Sequence, residues 1–204
     1  MAHRKSRNPN HPRKGSSIKV EPIRDIEDIW QIKRFLHDHP RDLCLFVLGI
    51  NTAFRASELL SITVGQVEHS CLGDLLEIKQ RKTGKYRAVA LNRSAITAIR
   101  FWLNAYPESH RRPESALFRS RTGEALKVPT VTRMVKKWAE MAGLRGNYGS
   151  HSLRKTWGYH QRVQMSTAVP ILMEAFGHSN QKQTLDYLGI QSGEIMDIYL
   201  KLEL

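Results

Sequence analysis

The longest apolar run in the chain sets the first limit on its fold. Residues 43–50 are apolar on every side, and the run continues through residues 51–54 without a turn signal. Such a segment offers no polar face to water, so we expect a buried helix that ends near Arg55. The run is too short to cross a bilayer, and the first twenty residues show no signal peptide. A domain built around this helix, with no membrane contact, is therefore predicted.

Amphipathic segments surround this run, each with a capping residue, a first-turn proline or a terminating glycine. Six helices are predicted in this way. The first begins at the cap Asp25, the second runs from the cap Asn92 to Ala105, and the third covers 131–141 before Gly143. The fourth begins at the cap Ser150, the fifth runs from Pro170 to Gly177, and the sixth covers 181–188. The first helix is predicted to carry Trp30 in its apolar stripe. Ser57 is predicted to cap the turn that follows Arg55.

One stretch departs from the helical pattern. Residues 75–81 and 86–91 have strand-forming composition, and Gly84 between them supplies a turn. This arrangement predicts a β-hairpin with Lys82 beside its tip. The predicted fold class is therefore mainly α with a small antiparallel β-sheet (α+β).

The charge balance points to a polyanionic partner. The chain carries 32 Lys and Arg against 19 Asp and Glu, a formal net charge of +13. Such an excess attracts polyanions, of which nucleic acid is the commonest. Residues 1–20 are basic and polar, so they are predicted to form a disordered arm before a domain spanning 21–204. The arm either follows DNA phosphates or is a tail or domain-boundary remnant.

The chain offers little for metal or disulfide chemistry. Cys44 and Cys71 form neither a disulfide framework nor a zinc motif, so a reduced, cytoplasmic setting is expected. No cluster of carboxylates suits magnesium. We therefore expect neither a cofactor nor a metal.

Two sets of polar residues carry the chemistry. His151-Ser-Leu-Arg154 precedes Gly177-His178-Ser179 and Tyr187, and on a helix His151 and Arg154 share one face. Upstream lie Arg55-Ala-Ser-Glu58 and Lys82-Thr-Gly-Lys85.

These residue types suit cleavage of a phosphodiester. Arginine forks match phosphate oxygens, which makes Arg55 and Arg154 the expected clamp. A tyrosine hydroxyl must lose its proton as it attacks, and His151 is the expected base.

The remaining residues are assigned to the leaving group and to support. His178 would donate to a phosphate oxygen, unless it is merely structural. Lys82 would protonate the leaving oxygen, with Lys85 as the alternative. Glu58 would orient an arginine or histidine, or else lie on a helix surface.

The order Arg55, Lys82, His151, Arg154, His178 and Tyr187 resembles the catalytic domain of the tyrosine recombinases, the phage integrase family. The resemblance covers the chain from Asp25 to Tyr187. It implies that Tyr187 forms a 3′-phosphotyrosyl link and frees a 5′ hydroxyl, without a nucleotide cofactor. It also implies double-stranded DNA as a partner, further protomers of the same chain in a tetrameric synapse, and a bacterial or phage-encoded enzyme at the nucleoid.

The chain departs from the family pattern in three places. Ala56 replaces a branched apolar residue, and Lys155 stands where many members have a second histidine. Only about 24 residues precede Asp25, where most members have a separate DNA-clamping domain. The chain is either a naturally short member of the family or a fragment of a longer one.

Two other motif matches point to a different function. Ser152-Leu-Arg-Lys155 and Lys82-Thr-Gly84 suggest a penicillin-binding enzyme, but they occur in the wrong order. A type IB topoisomerase-like enzyme and a non-catalytic DNA-binding regulator with the same fold remain alternatives. Integration, excision and inversion are equally open as outcomes.

The end of the chain carries a last apolar stripe. Ile195, Ile198, Tyr199 and Leu202 predict a helix over about 193–204. It is expected to dock on its own domain or on a neighbouring protomer.

Overall fold

The structure, a computed structural model, describes residues 19–79, 84, 86–189, 196 and 199–201. Residues 1–18 of the predicted N-terminal arm, the hairpin-tip lysines Lys82 and Lys85, and most of the C-terminal stripe lie outside these residues. The last two residues of the predicted arm are ordered, contrary to the prediction, because the Lys19 carbonyl accepts a bond from the Asn147 side chain. Tyr199, the one member of that stripe described, is 78% exposed.

Eight helices and one hairpin make up the described fold, which confirms the predicted fold class. The helices are α1 (Ile26–Phe35), α2 (Pro40–Gly49), α3 (Ala56–Leu59), α4 (Arg93–Ala105), α5 (Val128–Met141), α6 (Ser150–Val163), α7 (Val169–Phe176) and α8 (Gln181–Leu188). The strands are β1 (Leu75–Lys79) and β2 (Tyr86–Ala90), and short 3-10 turns cover Val64–Gln66 and Glu108–His110.

Helix α2 is the buried centre of the domain, as its composition predicts. Residues 44–48 are all buried, and α2 packs against α3, α4 and α6. The helix ends at Gly49, however, and does not continue to Arg55. In the loop that follows, Ala53 has a positive φ of 53°, which is incompatible with a right-handed α-helix.

Helix caps show where local signals hold and where they do not. Asp25 and Asn92 cap α1 and α4 through their side chains, as predicted. Two cap predictions are wrong. Arg55, not Ser57, is the N-cap of α3, because the Glu58 carboxylate accepts a bond from the Arg55 backbone N–H at 2.6 Å. Ser150 is the first residue of α6 rather than its cap, and its hydroxyl accepts a bond from Thr132.

The apolar core has a main part and a smaller one. The main part includes Ile29 and Ile32 of α1, but Trp30 is 61% exposed, contrary to the prediction. The smaller part joins the α2–α3 loop to α7 and α8 through Ala53, Leu172, Phe176 and Leu188. The polar residues of α6 and α8 lie against this smaller part of the core.

The hairpin brings one charged side chain inward. Ile78 pairs with Arg87 in the antiparallel register, and the inner face of β1 carries Leu76 and Ile78. Arg87 therefore lies on the face that packs on the domain. Among the helices of the described residues, none is long and apolar enough to cross a membrane.

Candidate active site

Helices α6 and α8 bring a histidine to a tyrosine. His151 lies in the first turn of α6 and Tyr187 near the end of α8. The Nδ1 atom of His151 is 3.0 Å from the Tyr187 hydroxyl, within hydrogen-bonding distance. With the neutral Nδ1 as acceptor, the phenol donates its proton directly to the imidazole.

Arg154 lies one turn further along α6 and is only 1% exposed. Its Nη1 donates to the Ala53 carbonyl at 2.6 Å, and its Nη2 donates to the Phe176 carbonyl. The guanidinium also lies over the Phe176 ring at 4.9 Å and near the Tyr187 ring at 5.7 Å. Ala53, whose φ is positive, thus accepts a hydrogen bond from Arg154 through its carbonyl, and this bond helps to hold its left-handed backbone. Strained residues of this kind are common at functional sites.

A single carboxylate binds the arginines together. Glu58 is 6% exposed, which excludes the alternative of a surface glutamate. It accepts bonds from Arg55 Nη1 at 3.0 Å and Arg87 Nη1 at 3.2 Å, and it lies 3.9 Å from Arg154 Nη1. Charge-assisted bonds of this kind fix side-chain geometry as well as contributing energy. The Arg55 side chain remains 36% exposed.

His178 follows the left-handed Gly177 that ends α7. Its Nδ1 lies 3.0 Å from the Thr184 hydroxyl, and its ring stacks on Phe176 at 4.9 Å. It also lies edge to face with Tyr187, with ring centroids 5.2 Å apart. These contacts fix the imidazole beside the tyrosine.

Burial and like charge shift the pKa values of these groups. Burial, followed by the cations Arg154 and Arg55, lowers the pKa of His178 to about 4 and also lowers the pKa of His151. Burial raises the pKa of Tyr187, while Arg154 and Arg55 act in the opposite direction. Burial also lowers the pKa of Arg154 to about 10. Near neutral pH both imidazoles are therefore mainly uncharged, while Arg154 is charged.

The described residues bring six of the eight predicted site residues together. They are Arg55, Glu58, His151, Arg154, His178 and Tyr187. Lys82 and Lys85 lie outside the described residues, although β1 and β2 lead to and from them. No group of three or more His, Cys, Asp or Glu capable of holding a metal occurs among the described residues.

Two residues of this region were given no role from the sequence. Arg87 donates to Glu58 and to the Ala175 carbonyl, and its guanidinium lies over the Phe54 ring. The alternation of β2 places it on the inward face with Val89, a signal that sequence reasoning had available. Lys155 lies with its Nζ 5.2 Å from the Tyr187 ring centroid. Only the packing of α8 on α6 shows this contact.

Solved structures define the class to which this fold belongs. A XerA recombinase superposes with a TM-score of 0.71 over 94% of this chain and 66% of its own, at 16% identity. The XerH site-specific recombinase, solved on its difH substrate, gives a TM-score of 0.70 over 91% of this chain and 53% of its own, at 21% identity. The fold is therefore that of the tyrosine recombinase catalytic domains.

The sequence places the chain in a family within that class. Residues 24–193 match the phage integrase family, and the chain belongs to it. The probable integrase/recombinase YoeC of Bacillus subtilis is 30% identical over 172 residues, which are 84% of this chain and 90% of YoeC. The tyrosine recombinase XerC of Haemophilus ducreyi is 28% identical over 181 residues, 86% of this chain but 57% of XerC. The chain thus spans nearly the length of YoeC and little more than half of XerC.

Proposed function

We propose that this protein is a site-specific DNA recombinase that cuts and rejoins strands through a 3′-phosphotyrosyl intermediate. The observation that carries the proposal is the 3.0 Å contact between His151 Nδ1 and the Tyr187 hydroxyl, beside a cluster of arginines held by Glu58. A nucleophile within reach of a base, next to cations suited to phosphate, is the arrangement that phosphoryl transfer to a side chain requires.

In the cleavage step the Tyr187 oxygen attacks the scissile phosphorus. The new bond joins that oxygen to phosphorus, and the bond from phosphorus to the 5′ oxygen breaks. His151 takes the phenolic proton, for which its lowered pKa leaves it neutral at pH 7. A proton must also reach the departing 5′ oxygen. Lys82 is the proposed donor, with Lys85 as the alternative.

The arginines stabilise the charge that builds on the phosphate. Arg55 is the more accessible, while Arg154 is buried and preorganised by two backbone carbonyls. Each terminal guanidinium nitrogen carries two N–H groups, so Arg154 keeps donors for a phosphate while it holds those carbonyls. His178, neutral and fixed by Thr184, offers its other ring nitrogen to a phosphate oxygen. Because these groups are held before substrate arrives, little reorganisation is needed during the reaction.

Rejoining reverses this step with a 5′ hydroxyl from a partner duplex. The proposed partners are therefore double-stranded DNA and further copies of this chain, in a four-protomer synapse. XerH on its difH substrate and a lambda integrase dimer on a core site are the relatives that support this assignment. Residues 1–20 would lie along DNA phosphates as a basic arm, and the helix over about 193–204 would dock on its own or a neighbouring protomer. Such an enzyme would work in the cytoplasm at the nucleoid.

A trapping experiment tests the proposal. The protein is incubated with randomised duplexes that carry a nick, so that the short 5′-hydroxyl fragment diffuses away after cleavage and the adduct accumulates. We expect an SDS-resistant protein–DNA adduct with the wild type and none with Tyr187→Phe, at equal DNA affinity. An adduct that persists in Tyr187→Phe contradicts the assignment of the nucleophile.

Two controls separate the rival functions. Relaxation of a supercoiled plasmid that lacks a selected site would favour topoisomerase-like activity. Tight binding with no adduct on any selected duplex would favour a non-catalytic regulator.

A further inference from the structure

A cavity opens beside the nucleophile Tyr187 and the base His151. Its volume is about 510 Å³, and His151 and Tyr187 form part of its wall. The rest of the wall comes from the N-terminal segment, α6 and α8, and includes Lys19, Lys155 and Lys182. Because His151 and Tyr187 also border the proposed reaction, the cavity adjoins the position of a DNA strand held at Tyr187.

Lys155 is the buried cation of this cavity. It is 8% exposed, and its Nζ lies 5.2 Å from the centre of the Tyr187 ring. Its ammonium group makes no hydrogen bond and no ion pair within the described part of the chain. Burial lowers its pKa, and Lys19 and Arg24 lower it further. The carboxylates Asp186 and Glu21 act in the opposite direction. An anion bound beside Lys155 would likewise offset the cost of burial and the repulsion between the cations.

The other charges of the cavity also favour an anion. Asp186 is the only carboxylate of the wall, and it pairs with Lys19 at 3.6 Å, with both side chains well exposed. Lys182 is exposed on α8 and adds a third positive charge. Three lysines therefore face one carboxylate, which is already engaged at the mouth. The amides of Asn180 and Gln183 line the same wall and can donate hydrogen bonds to phosphate oxygens.

We propose that this cavity is a second phosphate-binding subsite, in which Lys155 and Lys182 hold a DNA phosphate that neighbours the scissile one. The assignment rests on the proposed function, because it is the strand at Tyr187 that enters the cavity. Its role is positioning: with a neighbouring phosphate fixed, the scissile phosphorus has one placement relative to the Tyr187 oxygen, which favours in-line attack.

Salt dependence of DNA binding tests the subsite without knowledge of the target sequence. Each protein–phosphate contact contributes about 0.9 to the slope of log affinity against log salt on duplex DNA. With a random 30-bp duplex between 50 and 200 mM salt, we expect Lys155→Met and Lys182→Met each to reduce the slope by about 0.9. Lys155→Arg, which keeps the charge, should retain the wild-type slope.

Lys33→Met is the matched control. Lys33 is a half-buried lysine whose pKa, like that of Lys155, is lowered by burial, but it lines a different cavity, between α1 and α4. Its replacement should leave the slope unchanged. Lys182 is exposed on α8, so Lys182→Met keeps the test decisive even if Lys155→Met fails to fold. Wild-type slopes in both variants would overturn the proposal.

Free phosphate forms a separate arm of the experiment. Thermal unfolding is measured in inorganic phosphate and in chloride at equal ionic strength. If phosphate stabilises the wild type but not Lys155→Met, while the DNA slopes stay unchanged, the cavity binds a free anion and not DNA. The slopes and the adduct assay test separate proposals. Reduced slopes without any adduct would support the phosphate subsite and contradict the proposed cleavage reaction. An adduct with unchanged slopes would support the cleavage reaction and contradict the subsite.

Discussion

Replacement of Glu58 by alanine should destabilise the domain far more than replacement of an exposed glutamate. Glu58 accepts bonds from Arg55 and Arg87, neutralises part of the charge on Arg154, and accepts the Arg55 backbone N–H at 2.6 Å. Arg87 and Arg154 are both largely buried, with side chains 11% and 2% exposed. Without Glu58, these buried cations lose their shared carboxylate and repel each other.

The size of the effect follows from that burial. Removing one partner of a buried ion pair typically costs about 3–5 kcal/mol, because an uncompensated charge is left behind. For a domain of this size, about 2–4 °C of melting temperature is lost per kcal/mol, so the shift should be roughly 6–20 °C. Arg55→Ala, which removes a cation that is 36% exposed, should cost only about 1 kcal/mol or less.

Urea unfolding followed by circular dichroism measures these differences, with calorimetry for the melting temperature. Glu140→Ala, at an exposed position on α5, is the matched control and should change stability by less than about 0.5 kcal/mol. Glu58→Gln keeps the shape and an acceptor oxygen but loses the charge, so its loss of stability should lie between those of Glu140→Ala and Glu58→Ala. A Glu58→Ala protein as stable as Glu140→Ala would refute the reasoning that Glu58 holds the arginines together.

Three further predictions follow from the site. His178 has a pKa of about 4 in the folded protein against 6.5 as a free side chain, so the unfolded chain binds a proton first as pH falls. About 3 kcal/mol of stability should therefore be lost between pH 6.5 and 4. His178→Asn should flatten this loss in urea unfolding measured across that range. Gly158→Ala should cost about 1–3 kcal/mol and reduce adduct formation, because the added methyl group overlaps the Phe176 ring that supports Arg154; melting curves and the trapping assay check both effects. Lys82→Ala should slow cleavage of ordinary DNA far more than cleavage of a 5′-phosphorothiolate strand, whose sulfur leaves without a proton. Equal loss on both substrates would transfer the role to Lys85 or to neither.

The sequence was sufficient for the elements and for most of the site, for identifiable reasons. Periodicity and caps locate the long helices, because Asp25 and Asn92 bond within their own first turns. The hairpin follows from composition and Gly84. His151 and Arg154 share a helical face by spacing alone, and the family resemblance supplies the order of the others.

What the sequence could not show depends on contacts between distant segments. The end of α2 was misplaced because Ala53 adopts a left-handed backbone with no glycine to signal it, and its carbonyl is held by Arg154. Glu58 had two interpretations until its burial among arginines was seen. Lys155 is adjacent to Arg154 in sequence, yet only the position of α8 shows that it reaches Tyr187.

The most direct test of the account identifies the atom that carries the DNA. The trapped adduct is digested with nuclease and protease, and the peptide that retains nucleotide is sequenced by mass spectrometry. Tyr187 as the nucleophile predicts a single modified peptide from α8, with a 3′-linked nucleotide phosphate on Tyr187. Nucleotide on Tyr199, or on any residue other than Tyr187, would contradict it.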